Sequence, residues 1–166
     1  MPSFFCYTVF MQKIEVYTDG SSLGNPGPGG YGVVIVHNGK VVHEIGGHYQ
    51  DTTNNKMELQ AVIETLKYVS KSEYDKSEVV IHADSAYVLN GITSWIFNWE
   101  KNGWKTANKK PVLNKEIWQE LIELVRNFKG KIFWQKVKGH SGVEHNERAD
   151  VIATTYAEHK RCELVK

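Results

Sequence analysis

Four acidic residues stand where the chain changes direction. Asp19 closes the alternating run KIEVYTD (13–19), and Asp84 closes the apolar run EVVIHAD (78–84). Glu58 lies in TTNNKMEL, and Asp150 ends the charged run KGHSGVEHNERAD (138–150). Singly, each has a simple account: an Asp opening a turn before Gly20, a first-turn Glu favoured by a helix dipole, a polar strand end, a solvated helix position. Together they point elsewhere. If the strands ending on Asp19 and Asp84 are parallel neighbours, their C-terminal ends share one rim, where open α/β sheets place their sites. Four carboxylates in a small volume repel one another and raise each other's pKa. A hard divalent cation relieves that repulsion, and Mg²⁺ does so with a few carboxylates, retained waters and substrate phosphate. Two such ions about 3.5–4 Å apart activate a water and stabilise the leaving oxygen during in-line attack at phosphorus. The four acids therefore predict phosphodiester chemistry.

The elements that must position them follow from period and punctuation. In 13–19, Ile14, Val16 and Thr18 share one face of a strand, with Glu15, Tyr17 and Asp19 on the other. GSSLGNPGPGG (20–30) reads as a turn-rich loop that brings backbone close to a ligand, and it lacks the Gly-Lys-Ser/Thr of a phosphate-binding loop. Residues 31–49 read as a hairpin turning at Asn38-Gly39. A helical stripe follows at Leu59, Val62, Ile63, Leu66 and Val69, behind polar residues able to cap it. The run 78–84 reads as a strand buried on both faces, with Ser85 capping the next element. Helical patterning marks 86–104, 115–128 and the segment from about 144, and 131–139 reads as the last strand. Strands first, then strand–helix alternation, imply an α/β fold with a mixed sheet and helices on its faces. The domain is read as 12–166, with 1–11 as an extension whose second methionine, Met11, marks an alternative start.

Composition narrows the class. The chain has 166 residues, 41% hydrophobic and 23% charged, enough for one core. The net charge of +1 is uninformative, but lysines gather at 101, 105, 109, 110 and 115. No apolar run approaches the roughly 20 residues that span a bilayer, so no membrane association is expected. The segment MPSFFCYTVF lacks the basic start and longer apolar core of a signal peptide. Cys6 and Cys162, without metal-ligand spacing, read as reduced thiols of a cytoplasmic protein. His140 and His145 are five apart, but no further cysteine or histidine completes a zinc site with them.

The segments YTDGSSLGNPGPGGYG, TTNNKMEL, HADSAYV and VKGHSGVEHNERAD occur in the order seen in type I ribonuclease H. The resemblance covers roughly residues 12 to 160, and TNNKMEL and GHSGVEHNERAD are its specific parts. GITSWIFNWEKNGWKTANKKPVLNKEIWQEL resembles the basic protrusion of stand-alone bacterial members. The resemblance implies a five-stranded mixed sheet with helices on both faces. It implies metal-dependent cleavage of the RNA strand of an RNA·DNA hybrid, leaving 3′-hydroxyl and 5′-phosphate ends. Matched by position, Asp19, Glu58, Asp84 and Asp150 would bind two Mg²⁺ ions, with Mn²⁺ able to substitute. His140 matches the histidine of a mobile loop that assists proton transfer or product release, and Gly139 and Gly142 make such a loop plausible.

The same resemblance assigns the hybrid's minor groove, read through its 2′-hydroxyls, to Gly20, Ser21, Ser22, Asn25, Asn54 and Asn55. Thr53, like Asn25, is a candidate phosphate contact. Trp99, Trp104, Lys105, Thr106, Lys109 and Lys110 form an aromatic and basic surface for the DNA strand. Trp95 and Trp118 are expected to be mainly buried. Three departures from the family pattern affect affinity and loop kinetics: EKNG at 100–103 is less basic, Ala86 replaces glutamine, and Val143 replaces a second histidine. Two other functions compete with this reading, an inactive nucleic-acid binder and an integrase-like strand-transfer enzyme. The intact acid set opposes the first, and the two specific motifs oppose the second. A monomer without an obligate protein partner is expected by resemblance.

Overall fold

The computed structural model describes residues 11–137 and 144–166. Five strands form one sheet: β1 (Lys13–Ser22), β2 (Gly27–His37), β3 (Lys40–Thr52), β4 (Glu78–Ala83) and β5 (Lys131–Lys136). Their order is β3-β2-β1-β4-β5. The β1–β2 and β2–β3 pairs are antiparallel, whereas β1–β4 and β4–β5 are parallel. The helices are α1 (Asn54–Lys71), α2 (Ala86–Asn90), α3 (Ile96–Lys101), α4 (Lys115–Asn127) and α5 (Glu144–Ala157). A π-helical turn, Gly91–Trp95, joins α2 to α3. This is the mixed, helix-flanked sheet that the element order implies.

The sheet divides the apolar residues between two cores by the two-residue period of its strands. Ile14 and Val16 of β1, Val33 and Ile35 of β2, and Val79 and Ile81 of β4 meet Leu59, Val62, Ile63 and Leu66 of α1. Trp118 and Leu121 of α4 complete that layer. On the other side, Tyr17, Val34 and Val36 pack on Ala149 and Ile152 of α5. The Asn38-Gly39 turn has positive φ at both residues (50° and 74°), the geometry a two-residue hairpin needs.

Three local expectations are corrected. The glycine-rich run 20–30 is mostly strand. Ser21 and Ser22 pair with Gly30 and Gly29, leaving 23–26 as the turn. Gly30, and Gly32 just beyond the run, are required because α5 lies directly on β2. A Cβ on Gly30 would stand 2.5 Å from the Ala153 carbonyl and 2.6 Å from Ala157 N, and one on Gly32 would strike the Ala149 carbonyl. The strand at 78–84 is not buried on both faces, since Val79, Ile81 and Ala83 are buried while Val80 and His82 are only half-buried. The cause is coverage, because α5 packs across β1, β2 and β3 and leaves that side of β4 and β5 without a helix. The helical stretch 86–104 stops at Lys101, and Gly103 and Trp104 turn the chain with positive φ.

The π-helical turn also decides the fate of the tryptophans. An extra residue per turn rotates the side chains that follow, and Trp95 is 37% exposed instead of buried. Trp118 is fully buried, as expected, and its Nε1–H donates to the Tyr87 hydroxyl at 3.0 Å. Gly91 makes room for it, since a Cβ there would collide with the Trp118 ring.

The close approach of α5 to β2 gives a direct test. Gly30→Ala should lower unfolding stability by about 2–3 kcal/mol through overpacking against helix backbone that cannot move aside. Urea denaturation measures this, and a loss within experimental error would mean that α5 does not sit where it is described.

Candidate active site

The β1–β4 register pairs Tyr17 with His82, so two residues further on Asp19 and Asp84 are level at one rim of the sheet. Glu58 reaches the same rim from α1. The Thr53 hydroxyl caps that helix by accepting from Lys56 N at 3.3 Å, which makes Glu58 its fifth residue. It therefore sits in the second turn, and the first-turn dipole account does not apply. Gly20 sets its depth. Gly20 is buried, and a Cβ there would strike the backbone of Met57 and Glu58. Only a residue without a side chain lets α1 lie this low on β1.

Asp19, Glu58 and Asp84 each place a carboxylate oxygen within 4.8 Å of the others. Glu58 is 4% exposed, and its Oε2 is buried without a hydrogen-bond partner. Burial, then the charge of Asp84, then Asp150, push the Asp19 carboxyl up from 3.8 to about 7. Burial and the charges of Asp19 and Asp84 hold Glu58 well above the usual carboxylate range. Asp19 Oδ1 accepts the Gly20 N–H at 2.9 Å. Asp150 projects from α5, exposed and near enough to Asp19 to raise its pKa, but outside the compact trio. The cluster thus keeps protons where ordinary carboxylates would have none. A buried, partnerless carboxylate oxygen among acids of raised pKa is the donor set a hard divalent cation requires.

One element that places Asp150 escaped sequence reasoning. Arg148, two residues earlier on α5, donates from Nε and Nη2 to both oxygens of Glu44 on β3, at 2.8 and 2.9 Å. Glu44 is 5% exposed and also accepts the Val165 N–H at 3.0 Å, while Arg148 Nη2 donates to the Glu163 carbonyl at 2.6 Å. The Arg148 guanidinium holds the Glu44 carboxyl below its usual range. The available signal was an acid inside the apolar strand VVHEIGG. Its partner lies 104 residues away and could not be read.

The expected substrate residues are distributed unevenly. Ser21 and Ser22 end β1, and the Ser22 hydroxyl donates to the Gly24 carbonyl at 2.6 Å, inside its own turn. Asn25 is exposed at that turn. Asn54 and Asn55 open α1 beside the Thr53 cap. Gly20, packed under α1, has only its backbone to offer, since a Cβ there would meet the helix. Trp95, Trp99 and Trp104 form a ladder, with ring centroids 5.9 and 6.1 Å apart, that is anchored on buried Trp118 at 5.5 Å from Trp99. Trp99 and Trp104 are half-buried, so the outermost rung is Trp95. Lys105, Thr106 and Lys109 line a surface cavity of about 560 Å³ with Asn102 and Ala107, and Lys110 is exposed nearby. None of the carboxylates lines that cavity. Glu100, the acid in the less basic EKNG, is neutralised by a bidentate Arg126 at 2.7 and 2.6 Å. Ser85 caps α2 as expected, and exposed Ala86 follows it.

His140, with Gly139, Gly142 and Val143, lies outside the described residues, as do Cys6 and the segment 1–10. No described helix is long and apolar enough to cross a membrane.

The RNase H family model matches residues 11–158. The chain belongs to the ribonuclease H family. It is 53% identical over 138 residues to the ribonuclease H of Thermosynechococcus vestitus, covering 83% of this chain and 84% of that one. It is 49% identical over 147 residues to that of Francisella philomiragia, covering 87% and 92%. Among solved structures it resembles LC9-RNase H1, a type 1 RNase H with the type 2 active-site motif, with a TM-score of 0.79 and 32% identity over 91% of this chain and 74% of that one. It also resembles LC11-RNase H1 in complex with RNA/DNA hybrid, with a TM-score of 0.68 and 27% identity over 88% and 97%. Family membership agrees with the fold and with the acidic rim.

Two predictions follow from the charges. Between pH 3.8 and about 7 the folded chain keeps a proton on Asp19 that the unfolded chain has released. The contribution of Asp19 to stability therefore falls as pH rises through that window and stays lowered above it. Asp19→Asn removes the repulsion and should stabilise the cation-free protein at pH 7.5 by about 1–3 kcal/mol. Urea midpoints at pH 4.5 and 7.5 measure this, and a destabilised variant at pH 7.5 would contradict it. Arg148→Ala strands the buried Glu44 charge and should lower stability by about 3–5 kcal/mol. Calorimetric melting tests that loss, and an unchanged melting temperature would show the pair to be dispensable.

Proposed function

We propose that this chain hydrolyses the RNA strand of RNA·DNA hybrids by in-line attack of water at phosphorus, with Asp19, Glu58, Asp84 and Asp150 holding two Mg²⁺ ions. The single observation that carries the metal assignment is the acidic trio with its partnerless Glu58 oxygen. When bound, the ions activate the attacking water and stabilise the leaving oxygen. Mn²⁺, with similar ligand preferences, can replace Mg²⁺.

The chain's own groups divide the remaining work. Asp19 and Glu58 must surrender their protons to hold cations, so occupancy should strengthen as pH rises toward 8. Asp84, level with Asp19 on the neighbouring strand, supplies the second wall of the cleft. Asp150, fixed through Arg148, closes it from the α5 side. His140 is assigned proton transfer or product release. Ser21, Asn25, Asn54 and Asn55 lie on two segments that flank Asp19 and Glu58 in sequence, and their small polar groups suit a minor groove bearing 2′-hydroxyls. Thr53 offers its hydroxyl to a phosphate while it caps α1. Trp95, Trp99 and Trp104, with Lys105, Thr106, Lys109 and Lys110, carry the DNA strand by stacking and counterion release. The hybrid named for LC11-RNase H1 supports this choice of substrate. Residues 12–166 act as one domain, monomeric and cytoplasmic, without an obligate protein partner.

The test is cleavage of end-labelled RNA as a single strand, an RNA duplex and an RNA·DNA hybrid, each with Mg²⁺ or chelator. Cleavage confined to the hybrid and abolished by chelator is expected, with 3′-hydroxyl products. Hybrid binding without cleavage would favour an inactive binder. Asp84→Asn should reduce turnover about 10³-fold or more while hybrid binding is unchanged or tighter, and wild-type turnover in that variant would break the four-acid assignment. His140→Ala should slow turnover without abolishing it.

A further inference from the structure

Three successive residues of α5 point in three directions. Ala149 is buried against the sheet, where its carbonyl lies over Gly32. Arg148 reaches sideways to Glu44 on β3, the strand that ends the sheet. Asp150 leaves on the side of Asp19, on β1. A helix turns about 100° per residue, so side chains two positions apart point in nearly opposite directions. Whatever holds Arg148 toward β3 therefore aims Asp150 at the acidic rim. The buried face of α5 cannot do this alone. It consists of Ala149, Ile152, Ala153 and Ala157, and small side chains over glycines form few ridges to resist rolling.

The chain beyond the helix completes the anchor. Cys162 and Leu164 are half-buried against the cluster of Tyr17, Val34, Val36, Ala149 and Ile152, while Arg161, Glu163 and Val165 are exposed. That alternation seats the backbone beside β3. The Glu44 N–H donates to the Val165 carbonyl at 2.8 Å, and the Val165 N–H donates back to Glu44 Oε2 at 3.0 Å. Arg148 Nη2 donates to the Glu163 carbonyl at 2.6 Å as well as to Glu44 Oε2 at 2.9 Å. The segment thus holds both halves of the ion pair. A carboxylate as inaccessible as Glu44 needs its lone pairs filled, and the Val165 amide fills one that Arg148 leaves open.

We infer that residues 162–165 are a positioning element of the acidic rim. They set the rotation of α5, and with it the approach of Asp150 to Asp19, through the Val165 N–H and the Glu163 carbonyl. The consequence is tighter Mg²⁺ binding when the segment is seated, which rests on the carboxylate reading proposed above.

Val165 allows a clean test, because its side chain is 43% exposed and its amide is what bonds Glu44. In the full-length chain, Val165→Pro removes that N–H and Val165→Ala keeps it. Hydrogen exchange of the α5 amides, measured without metal, should quicken about tenfold in Val165→Pro, the worth of one hydrogen bond to a charged group. Magnesium chloride titrated by calorimetry at pH 7.5 should bind the same variant about threefold or more weakly. Val165→Ala should match the wild type in both. Circular dichroism checks that each variant is folded. Leu164→Ala, which loosens the seat but keeps every donor, should shift both readouts in the direction of Val165→Pro. Unchanged exchange together with equal Mg²⁺ uptake by wild type and Val165→Pro would overturn the positioning role and leave the carboxylate reading standing. No Mg²⁺ uptake by the wild type would sink the carboxylate reading, and the consequence drawn from it here.

Discussion

The acidic rim depends on forcing like charges together with something other than electrostatics. Asp19, Glu58 and Asp84 repel, and the folded chain answers by keeping protons on Asp19 and Glu58. What holds the acids in place is apolar packing at two sites of backbone contact. At Gly20, α1 rests on β1 closely enough to lower Glu58 beside Asp19. At Gly30 and Gly32, α5 rests on β2, which brings Asp150 within reach. Burial of Leu59, Val62, Ile63 and Leu66 on one face, and of Ala149 and Ile152 on the other, is worth more than the repulsion it overcomes.

Helix α5 needs a second constraint because its apolar contact is small. A helix resting on glycines can slide and rotate. The bidentate Arg148–Glu44 pair removes that freedom by tying the face that precedes Asp150 to a strand in the sheet. Glu44 is nearly inaccessible, so the pair acts as a latch: either partner alone would be far more costly than neither. The segment 161–165 joins the latch through the Glu163 carbonyl and Val165. It lies beyond the residues that the family model matches.

The tryptophan segment follows a different logic. Trp118 is locked in the core by Gly91 and by its hydrogen bond to Tyr87, and the other three rings step outward from it. Rigid aromatic surface therefore reaches solvent without the floppiness of a loop. The lysines after it are carried on turns with positive φ at Gly103, Trp104 and Lys109. Positive charge thus sits on long, adaptable side chains, while the aromatic surface sits on a rigid support.

The identities of the acids, the strand ends that carry Asp19 and Asp84, and the helix stripe from Leu59 to Val69 were legible in order and period, because those are local properties. The four motifs made the family readable for the same reason. Other features were not legible. The glycines from 20 to 32 look like a loop in one dimension, and only the helices lying on them show why side chains are forbidden there. A strand of β-branched residues looks buried on both faces until α5 is seen to cover only β1 to β3. Trp95 reads as core at helical spacing, and one extra residue in a π-helical turn rotates it into solvent. Glu44 and Arg148 carry no mark of each other across 104 residues. The sequence by itself determined which acidic, aromatic and basic groups the chain has to present. Only the tertiary structure decided how close they stand, since distance between remote residues is set by packing and not by spacing along the chain.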